Sequence, residues 1–279
     1  MSSPGNLYIV ATPIGNLADI TYRAKEILAT VDRIAAEDTR HSSRLLQHLH
    51  IAKPMIALHE HNEQKTSEKI IQFLRAGQQI AYISDAGTPL ISDPGRNLVK
   101  LAHQHQIPVI PIPGPCALVA ALSVAGFAGD EFMFMGFLPA KKGQRQQYLE
   151  QYKEMTCTLA AYEAPHRILD SLMDMCACFG DEREALVARE MTKMHETISR
   201  GTLLELLTLF KTNTQYQQGE FVIIIQGAPQ ISQKELTPEV EKILTILLKE
   251  LKINTAARVC AEITGVNKNL LYKVALNKS

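Results

Sequence analysis

Residues 84–95, Ser-Asp-Ala-Gly-Thr-Pro-Leu-Ile-Ser-Asp-Pro-Gly, bring together residue types that bind small ligands. The stretch follows an apolar run at 80–83, which predicts a short buried strand, and precedes the apolar face of a predicted helix at 98–102. Its glycines let the backbone approach a ligand closely, its prolines stiffen the path, and Ser92 or Asp93 could cap the helix. A strand-to-helix turn in an open α/β sheet binds small ligands, although similar clusters also form ordinary surface turns.

The first 125 residues alternate predicted strands with predicted helices. Apolar runs predict the strands, at 7–11, 33–36, 55–58, 80–83 and 108–112. Short connections between strands and helices favour a mostly parallel sheet covered on both faces. Turn-forming and polar residues follow each strand, at 12–19, 37–40, 59–62, 84–95 and 113–117. We expect these turns along one edge of the sheet, because the carboxyl ends of parallel strands meet there.

The pattern changes after a predicted hinge at 126–130, and a second α/β domain is expected. Its predicted strands and helices are 132–137, 158–162, 185–188 and 220–225, and 144–153, 166–179 and 202–211. A polar linker is predicted at 227–234, and Pro238 begins a helical tail that resembles a helix-turn-helix with Gly265 in its turn. The predicted fold is two α/β domains, 1–125 and 126–228, and a small helical C-terminal module, 235–279.

The composition predicts a sizeable core and no overall charge. Of 279 residues 46% are hydrophobic, and 29 basic residues balance 29 acidic ones. No global positive field favours nucleic acid, although 252–279 carry five basic residues against Glu262 alone. Five cysteines lack a disulfide-framework spacing, and the sequence contains neither a signal-peptide pattern nor an apolar run of membrane-spanning length. These features predict a soluble, cytoplasmic protein without a membrane partner.

Common nucleotide and metal motifs are absent from the sequence. There is no G-x-x-x-x-G-K-[ST] loop, and Thr-Pro-Ile-Gly-Asn-Leu after the first strand is not a G-x-G-x-x-G fingerprint. His59 and His61 lack further ligands at suitable spacing, so no metal is expected. Prolines and small residues without a phosphate cradle suit an uncharged or zwitterionic ligand, a description that S-adenosylmethionine meets.

Seven motifs occur in one unbroken order along the chain. They are Thr12–Thr21, Ala36–Arg40, His59–Asn62, Ser84–Gly95, Pro113–Ala117, Tyr162–Arg167 and Arg189–Glu196. Together they resemble the bacterial small-subunit ribosomal RNA methyltransferase I family, which belongs to the tetrapyrrole (corrin/porphyrin) methylase superfamily. The chain departs from the family pattern at Cys116, where serine is expected. A thiol is nearly isosteric with a hydroxyl, so at most one polar contact is weakened.

The resemblance implies methyl transfer from S-adenosylmethionine to the ribose 2′-hydroxyl of a cytidine in the decoding region of 16S rRNA. It also implies a homodimer that acts on the small ribosomal subunit, with the cofactor folded in the cleft between the two α/β domains. Carried over by position, the cofactor contacts would be Pro13, Asp85, Ala86, Gly87, Cys116, Ala117, Ala164, Pro165 and Ala188. Small residues there would let the main chain reach the cofactor.

Methyl transfer requires the 2′-oxygen, the methyl group and the sulfur in line, and a group that takes the hydroxyl proton. The candidates for that group are Glu163, Glu190, Lys193 and Asp38. We predict Glu190 and Lys193 as the catalytic pair; a lysine base would need a pKa lowered by burial or by Arg189. An alternative of similar weight is a structural ion-pair cluster at the strand end.

Two other functions remain open from the sequence. The first keeps the cofactor and methylates a tetrapyrrole, but a small macrocycle does not call for a basic helical tail. The second is a non-catalytic ribosome-binding factor that senses the cofactor. If RNA is the substrate, phosphate contacts are expected from basic residues, namely Arg40, Arg44, Lys141, Lys142, Arg145, His166 and Arg167.

Overall fold

The structure is a computed structural model that describes residues 3–127, 129–229 and 236–278. It divides into two compact units, Met1–Gly227 and Ala228–Ser279. Ala128 of the predicted hinge, residues 230–234 of the predicted linker and the first residue of the predicted C-terminal module lie outside the described residues. The domain boundaries near residues 125 and 228 therefore stay predictions.

The first sheet contains five parallel strands. They are β1 (Leu7–Val10), β2 (Arg33–Ala36), β3 (Met55–Ala57), β4 (Ile80–Ile83) and β5 (Val109–Ile112). Their order is β3-β2-β4-β1-β5, and every pairing is parallel, as the sequence predicted. All four residues of the central strand β4 are buried, because helices cover both faces of the sheet.

Five α-helices connect these strands and carry the chain into the second sheet. They are α1 (Tyr22–Thr30), α2 (Thr39–His48), α3 (Glu63–Arg75), α4 (Arg96–Gln104) and α5 (Ala117–Ala125). The predicted side-chain cap of α4 by Ser92 or Asp93 is wrong. Gly95 is the N-cap residue, and Glu63 of α3 instead accepts hydrogen bonds from the backbone N–H groups of Gly95 at 3.0 Å and Asn97 at 2.7 Å. A neighbouring helix thus supplies the cap and leaves Ser92 and Asp93 free for another role.

The second sheet is mixed. Its strands are β6 (Phe132–Phe137), β7 (Thr158–Glu163), β8 (Glu184–Arg189), β9 (Thr197–Thr202) and β10 (Phe221–Ile225), and its helices are α6 (Lys142–Glu150), α7 (Ile168–Phe179) and α8 (Leu203–Thr212). The strand order is β6-β7-β10-β8-β9, with only β6 and β7 parallel. The sequence did not predict β9, because this edge strand is mostly polar and its Ile198 is exposed.

The C-terminal unit contains three helices with a core of their own. They are α9 (Pro238–Glu250), α10 (Ile253–Thr264) and α11 (Lys268–Lys278). Leu244, Cys260 and Leu271 are fully buried and join the three helices. The predicted start at Pro238 is confirmed, and Gly265 follows α10, where the sequence placed the turn. Among the described residues, no helix is both long and apolar enough to cross a membrane.

Arg145 does not belong to the predicted phosphate-contacting surface. Only 2% of this residue is exposed, and its guanidinium lies 2.6 Å from the Asp174 carboxylate. The carbonyl oxygens of Pro139 and Ala140 accept further hydrogen bonds from it, and Gln146 donates to the second Asp174 oxygen. The prediction was wrong because Arg145 faces α7, where Asp174 compensates its charge.

Replacing Asp174 with alanine should leave this guanidinium buried and unpaired. We expect Asp174→Ala to lower the free energy of unfolding by about 3–5 kcal/mol. Asp170→Ala, on the exposed face of the same helix, should change it by less than about 0.5 kcal/mol. Urea unfolding followed by far-UV circular dichroism measures both. Equal effects of the two substitutions would show that the buried ion pair does not stabilise the fold.

Candidate active site

A cavity of about 420 Å³ in the Met1–Gly227 unit is lined from both sheets. The first sheet and its turns contribute Ile14, Glu37, Asp85, Ala86, Gly87, Thr88, Ile91, Ser92, Asp93, Cys116 and Ala117. The second contributes Phe137, Tyr162, Glu163, Ala164, Pro165, Ala188, Met191, Glu220, Phe221 and Val222. Its volume is in the range typical of sites for small organic ligands and cofactors.

The turns after β1 and β4 are joined to each other at the cavity. The Thr12 N–H donates to the Gly87 carbonyl at 2.9 Å, and the Gly87 N–H donates to the Thr12 carbonyl at 3.1 Å. Gly87 has φ +79°, a conformation that L side chains rarely adopt. The glycine in the sequence motif therefore allows both the hydrogen-bonded bridge and an open cavity wall.

The turn after β1 also contacts the loop after β8. The Asn16 N–H donates to Thr192 Oγ1 at 3.0 Å. A Cβ on Gly15 would lie 2.9 Å from the Met191 carbonyl and would also overlap the Lys193 side chain, so glycine is required for this close approach. Glu190 and Thr192 both have positive φ, 51° and 64°, which marks a strained loop. The contact joins the two sheets beside the cavity, because Ile14 and Met191 both line it.

Most of the predicted cofactor residues come together in this cavity. Those that line it are Asp85, Ala86, Gly87, Cys116, Ala117, Ala164, Pro165 and Ala188. Pro13 is buried and does not line it, whereas the next residue, Ile14, does. Cofactor contact by any of these residues stays a prediction. The turn motifs in the sequence thus indicated correctly that these residues lie close together in the fold.

Sequence reasoning did not select four lining residues that shape the cavity, Glu37, Asp93, Phe137 and Tyr162. Glu37 and Asp93 lie in turns that it had placed at the ligand-binding edge, so that signal could have found them. The rings of Phe137 and Tyr162 are 5.6 Å apart in an edge-to-face arrangement. Apolar strand patterns do not reveal that these aromatic residues face a cavity.

The cavity lining carries a strongly one-sided set of charges. Five lining residues are carboxylates, Glu37, Asp85, Asp93, Glu163 and Glu220, and none is lysine, arginine or histidine. Glu163 pairs with Arg167 at 2.6 Å, and Glu220 pairs with Lys193 at 2.8 Å. Within the described residues, no salt bridge involves the other three. This lining disfavours phosphate and favours a cationic ligand.

Burial changes the proton affinity of two of these carboxyl groups. Desolvation and the charge of Glu37 raise the pKa of Asp93 to about 6, against a partial lowering by the Ser84 hydroxyl. Desolvation, followed by repulsion from Asp85, raises the pKa of Glu37. Both shifts reflect negative charge in a region poor in water, which a bound cation would relieve.

The predicted catalytic pair, Glu190 and Lys193, lies next to the cavity and does not line it. Lys193 Nζ is 2.8 Å from Glu190 Oε1 and 2.8 Å from Glu220 Oε2, and the Glu220 N–H donates to Glu190. Burial acts to raise the pKa of Glu190, but the Lys193 hydrogen bond and the Glu220 N–H lower it overall. Burial acts to lower the pKa of Lys193, but hydrogen bonds to Glu190 and Glu220 raise it overall. A charged lysine and a charged glutamate result, which does not suit Lys193 as a base.

The other two candidate proton acceptors have different surroundings. Glu163 is buried, and its carboxylate accepts hydrogen bonds from Ser171 Oγ and from the Ala164 N–H, besides pairing with Arg167. Asp38 is held by Arg40, whose side-chain hydrogen bond lowers the pKa of Asp38 to about 2. Glu163 thus fixes the turn at Ala164, and the Asp38 side chain caps α2 by accepting a hydrogen bond from the Arg40 N–H.

The described residues contain no group of three or more His, Cys, Asp or Glu side chains that could hold a metal ion. His59 and His61 lie outside the cavity lining, with ring centroids 6.1 Å apart. The Asn62 side chain accepts a hydrogen bond from the His59 N–H and donates one to the Ala57 carbonyl. These contacts stabilise a turn at the edge of the sheet.

Comparison with known proteins identifies the family. Residues 6–207 match the Tetrapyrrole (Corrin/Porphyrin) Methylases, and residues 234–279 match the RsmI C-terminal HTH domain. The chain belongs to the tetrapyrrole methylase family. It is 50% identical, over 99% of its length and 98% of the relative's, to a protein of Pseudomonas aeruginosa named ribosomal RNA small subunit methyltransferase I.

Solved structures of tetrapyrrole methylase fold agree with both sheets. Diphthine synthase superposes with a TM-score of 0.63 at 12% identity, covering 80% of this chain and 90% of that one. Uroporphyrin-III C-methyltransferase of Thermus thermophilus, complexed with S-adenosyl homocysteine, gives 0.57 at 17% identity, covering 79% and 97%. The predicted fold class is therefore confirmed.

The chain is a methyltransferase, and the predicted methyl donor, S-adenosylmethionine, is confirmed by its family. The cavity fits this molecule, because backbone and small side chains form much of its wall and its unpaired carboxylates suit a sulfonium and an ammonium group. Asp85, Gly87 and Ala117 would hold it from the first sheet. Ala164 and Ala188 would hold it from the second.

Filling the cavity should block the cofactor without unfolding the protein. We expect Ala117→Leu to weaken S-adenosylmethionine binding at least about tenfold, because the added carbons occupy ligand space. Ala29→Leu is the matched control, since it makes the same change at an exposed position of α1. Isothermal titration calorimetry measures both affinities. Unchanged affinity in Ala117→Leu would place the cofactor elsewhere.

Proposed function

We propose that this methyltransferase methylates the ribose 2′-hydroxyl of a cytidine in the decoding region of 16S rRNA. The observation that carries the proposal is similarity along almost the whole chain, C-terminal module included, to relatives named ribosomal RNA small subunit methyltransferase I. The cytidine and the 2′-oxygen follow from the resemblance of the sequence motifs. The small ribosomal subunit would then be the partner, and the cytoplasm the place of action.

The distribution of basic residues supports an RNA substrate. Residues 252–279 carry five basic residues and one acidic residue. Five of the seven basic residues selected for phosphate contact are exposed, namely Arg40, Arg44, Lys141, Lys142 and His166. Arg167 is partly buried against Glu163 and is better placed to fix the cavity wall. The exposed residues fit a backbone-contacting surface.

Roles for the catalytic pair follow from its charges. S-adenosylmethionine supplies a methyl group already activated on a sulfonium, so a weak base is sufficient. We propose that the Glu190 carboxylate takes the 2′-hydroxyl proton as the ribose oxygen attacks. Lys193 stays protonated and orients Glu190 through their 2.8 Å hydrogen bond. Glu220, which lines the cavity and also binds Lys193, connects the pair to the cofactor site.

We also propose that the protein acts as a homodimer. Helix α5 and strand β6 expose apolar side chains, with Val119 59%, Val124 51% and Phe132 50% exposed. A second groove of about 360 Å³, formed partly by Val119 and Phe132, lies between these elements. A second copy would cover this apolar surface, and the particle mass in solution, measured by light scattering, tests it.

The substrate proposal is tested by transfer of labelled methyl from S-adenosylmethionine. Small ribosomal subunits, free 16S rRNA and a precorrin-type macrocycle serve as parallel acceptors. We expect label in 2′-O-methylcytidine, found by nucleoside analysis, on the subunit or the RNA. Label in the macrocycle alone would contradict the RNA proposal. Cofactor and subunit binding without transfer to any acceptor would instead indicate a non-catalytic ribosome-binding factor.

The proposed base is tested by Glu190→Gln and Lys193→Met. We expect Glu190→Gln to lower the single-turnover rate by about 100-fold or more and to remove its dependence on pH, because the amide cannot take a proton. Cofactor affinity should change by less than about threefold. Glu184→Gln, at the other end of β8, is the control.

Lys193→Met should lower the rate through misorientation of Glu190 and leave a pH dependence. If Glu190 and Lys193 form only a structural ion-pair cluster, both variants would lose thermal stability and retain the wild-type rate per folded molecule. That result would show that Glu190 is not the base.

A further inference from the structure

The unpaired carboxylates of the cavity come from different parts of the chain and face one space. Glu37 follows β2, Asp85 follows β4, and Asp93 lies further along the turn before α4. The negative charge of Asp85 acts to raise the pKa of both Glu37 and Asp93. Charged carboxylates that line one cavity repel one another, so the arrangement costs stability unless a positive ligand compensates it.

The surrounding structure holds this arrangement in place. Asp85 Oδ1 accepts a hydrogen bond from the Asp38 N–H at 3.0 Å. Tyr82, fully buried in β4, donates to the Pro94 carbonyl at 2.8 Å and so fixes the backbone next to Asp93. Glu63 holds the following turn through Gly95 and Asn97. These contacts restrict how far Asp85 and Asp93 can move apart to reduce their repulsion.

We propose that Glu37, Asp85 and Asp93 make the cavity select the charged methyl donor over its product. During transfer the carbon–sulfur bond breaks and both electrons stay on sulfur, so the sulfonium becomes a neutral thioether. The ammonium and the adenosine are the same in donor and product. The carboxylates distinguish the two molecules by the sulfur charge alone, which favours donor binding and product release.

The size of the effect follows from Coulomb attraction. At an effective dielectric constant of about 40 to 60, between those of protein and water, and separations of about 6 to 8 Å, each carboxylate should favour the charged ligand by a factor of about three to ten. Removing one of the three should therefore reduce the donor preference measurably without abolishing binding. The inference rests on the cofactor and not on the RNA substrate, so it stands or falls separately from the proposed acceptor.

Protonation of Asp93 gives an independent test of the same charge. The groups that interact with it are Glu37 after β2, Asp85, Tyr82 and Ser84 of β4 and its turn, and Tyr162 of β7. Glu63 of α3 acts on Tyr82. His41 of α2 acts on Glu37. The raised pKa of Asp93 means that its charge is present above about pH 6 and is lost below it. Donor preference should accordingly fall as the pH is lowered through this range.

The experiment compares the affinities of the full chain for three ligands by isothermal titration calorimetry at about pH 7.5. The ligands are S-adenosylmethionine, S-adenosylhomocysteine and sinefungin, which carries an amine in place of the methylsulfonium. We expect Asp93→Asn and Glu37→Gln each to weaken the two charged ligands about three- to tenfold relative to S-adenosylhomocysteine. Sinefungin separates the effect of charge from that of the methyl group. Glu68→Gln, an exposed carboxylate on α3, is the control with the same charge change.

Lowering the pH to about 5.5 should reduce the donor preference of the wild type, and of Glu68→Gln, more than that of Asp93→Asn. The wild-type arm keeps the test informative if a variant does not fold. An unchanged ratio of donor to product affinity in both variants overturns the proposal. An equal loss of affinity for the charged and the neutral ligands also overturns it, because the carboxylates would then not distinguish the donor from the product. Either result leaves the substrate proposal untouched.

Discussion

The cavity depends on the pair of hydrogen bonds between Thr12 and Gly87. This pair joins the turn after β1 to the turn after β4, two neighbouring strands of the parallel sheet. Thr12 is almost fully buried, so loss of either hydrogen bond would leave a backbone group unsatisfied away from water. With the turns tied together, Ile14 lies on one side of the cavity and Asp85 on another. The contact between Asn16 and Thr192 then connects this wall to the second sheet.

The chemistry of the cavity follows from this geometry. A parallel sheet gathers the turns after its strands at one edge, and in this chain those turns carry carboxylates. Partial burial raises the pKa of Glu37 and of Asp93, and no basic residue lines the cavity to compensate the negative charge. The opposite wall differs, because Glu163 and Glu220 there have basic partners within the protein. The negative charge left for a ligand is thus concentrated on the first sheet.

The sequence predicted local features well where one physical signal dominated. The buried strand at 80–83 was predicted with the bounds that the structure shows, because all four residues are apolar and a turn follows. The edge strand β9 was missed, because half-exposed polar residues give no such signal. Arg145 was placed at the surface because no sequence rule indicates that a distant Asp174 will pair with it. The cap of α4 was missed for the same reason, since Glu63 is far away in sequence.

The residues that line the cavity could be predicted further than the proposed proton acceptor. Glycine and alanine at fixed motif positions imply close approach of backbone to ligand, a requirement that is local and visible in sequence. A base is defined by its pKa, which for Glu190 depends on Lys193 and on the backbone of Glu220, thirty residues away. The motif draws attention to Glu190 and Lys193 but does not say that Lys193 will be charged. A constellation whose members are far apart in sequence can be judged only in three dimensions.

The fold alone does not specify the acceptor. Proteins of this fold with 12–17% identity include a diphthine synthase and a uroporphyrin-III methyltransferase, so the two sheets do not determine what is methylated. The donor cavity lies wholly within the Met1–Gly227 unit, and the excess of basic residues lies in the other unit, which has its own core. In the proposed function, a basic module with its own core would contribute contacts to RNA, while recognition of the sulfonium by Glu37, Asp85 and Asp93 would remain a property of the Met1–Gly227 unit.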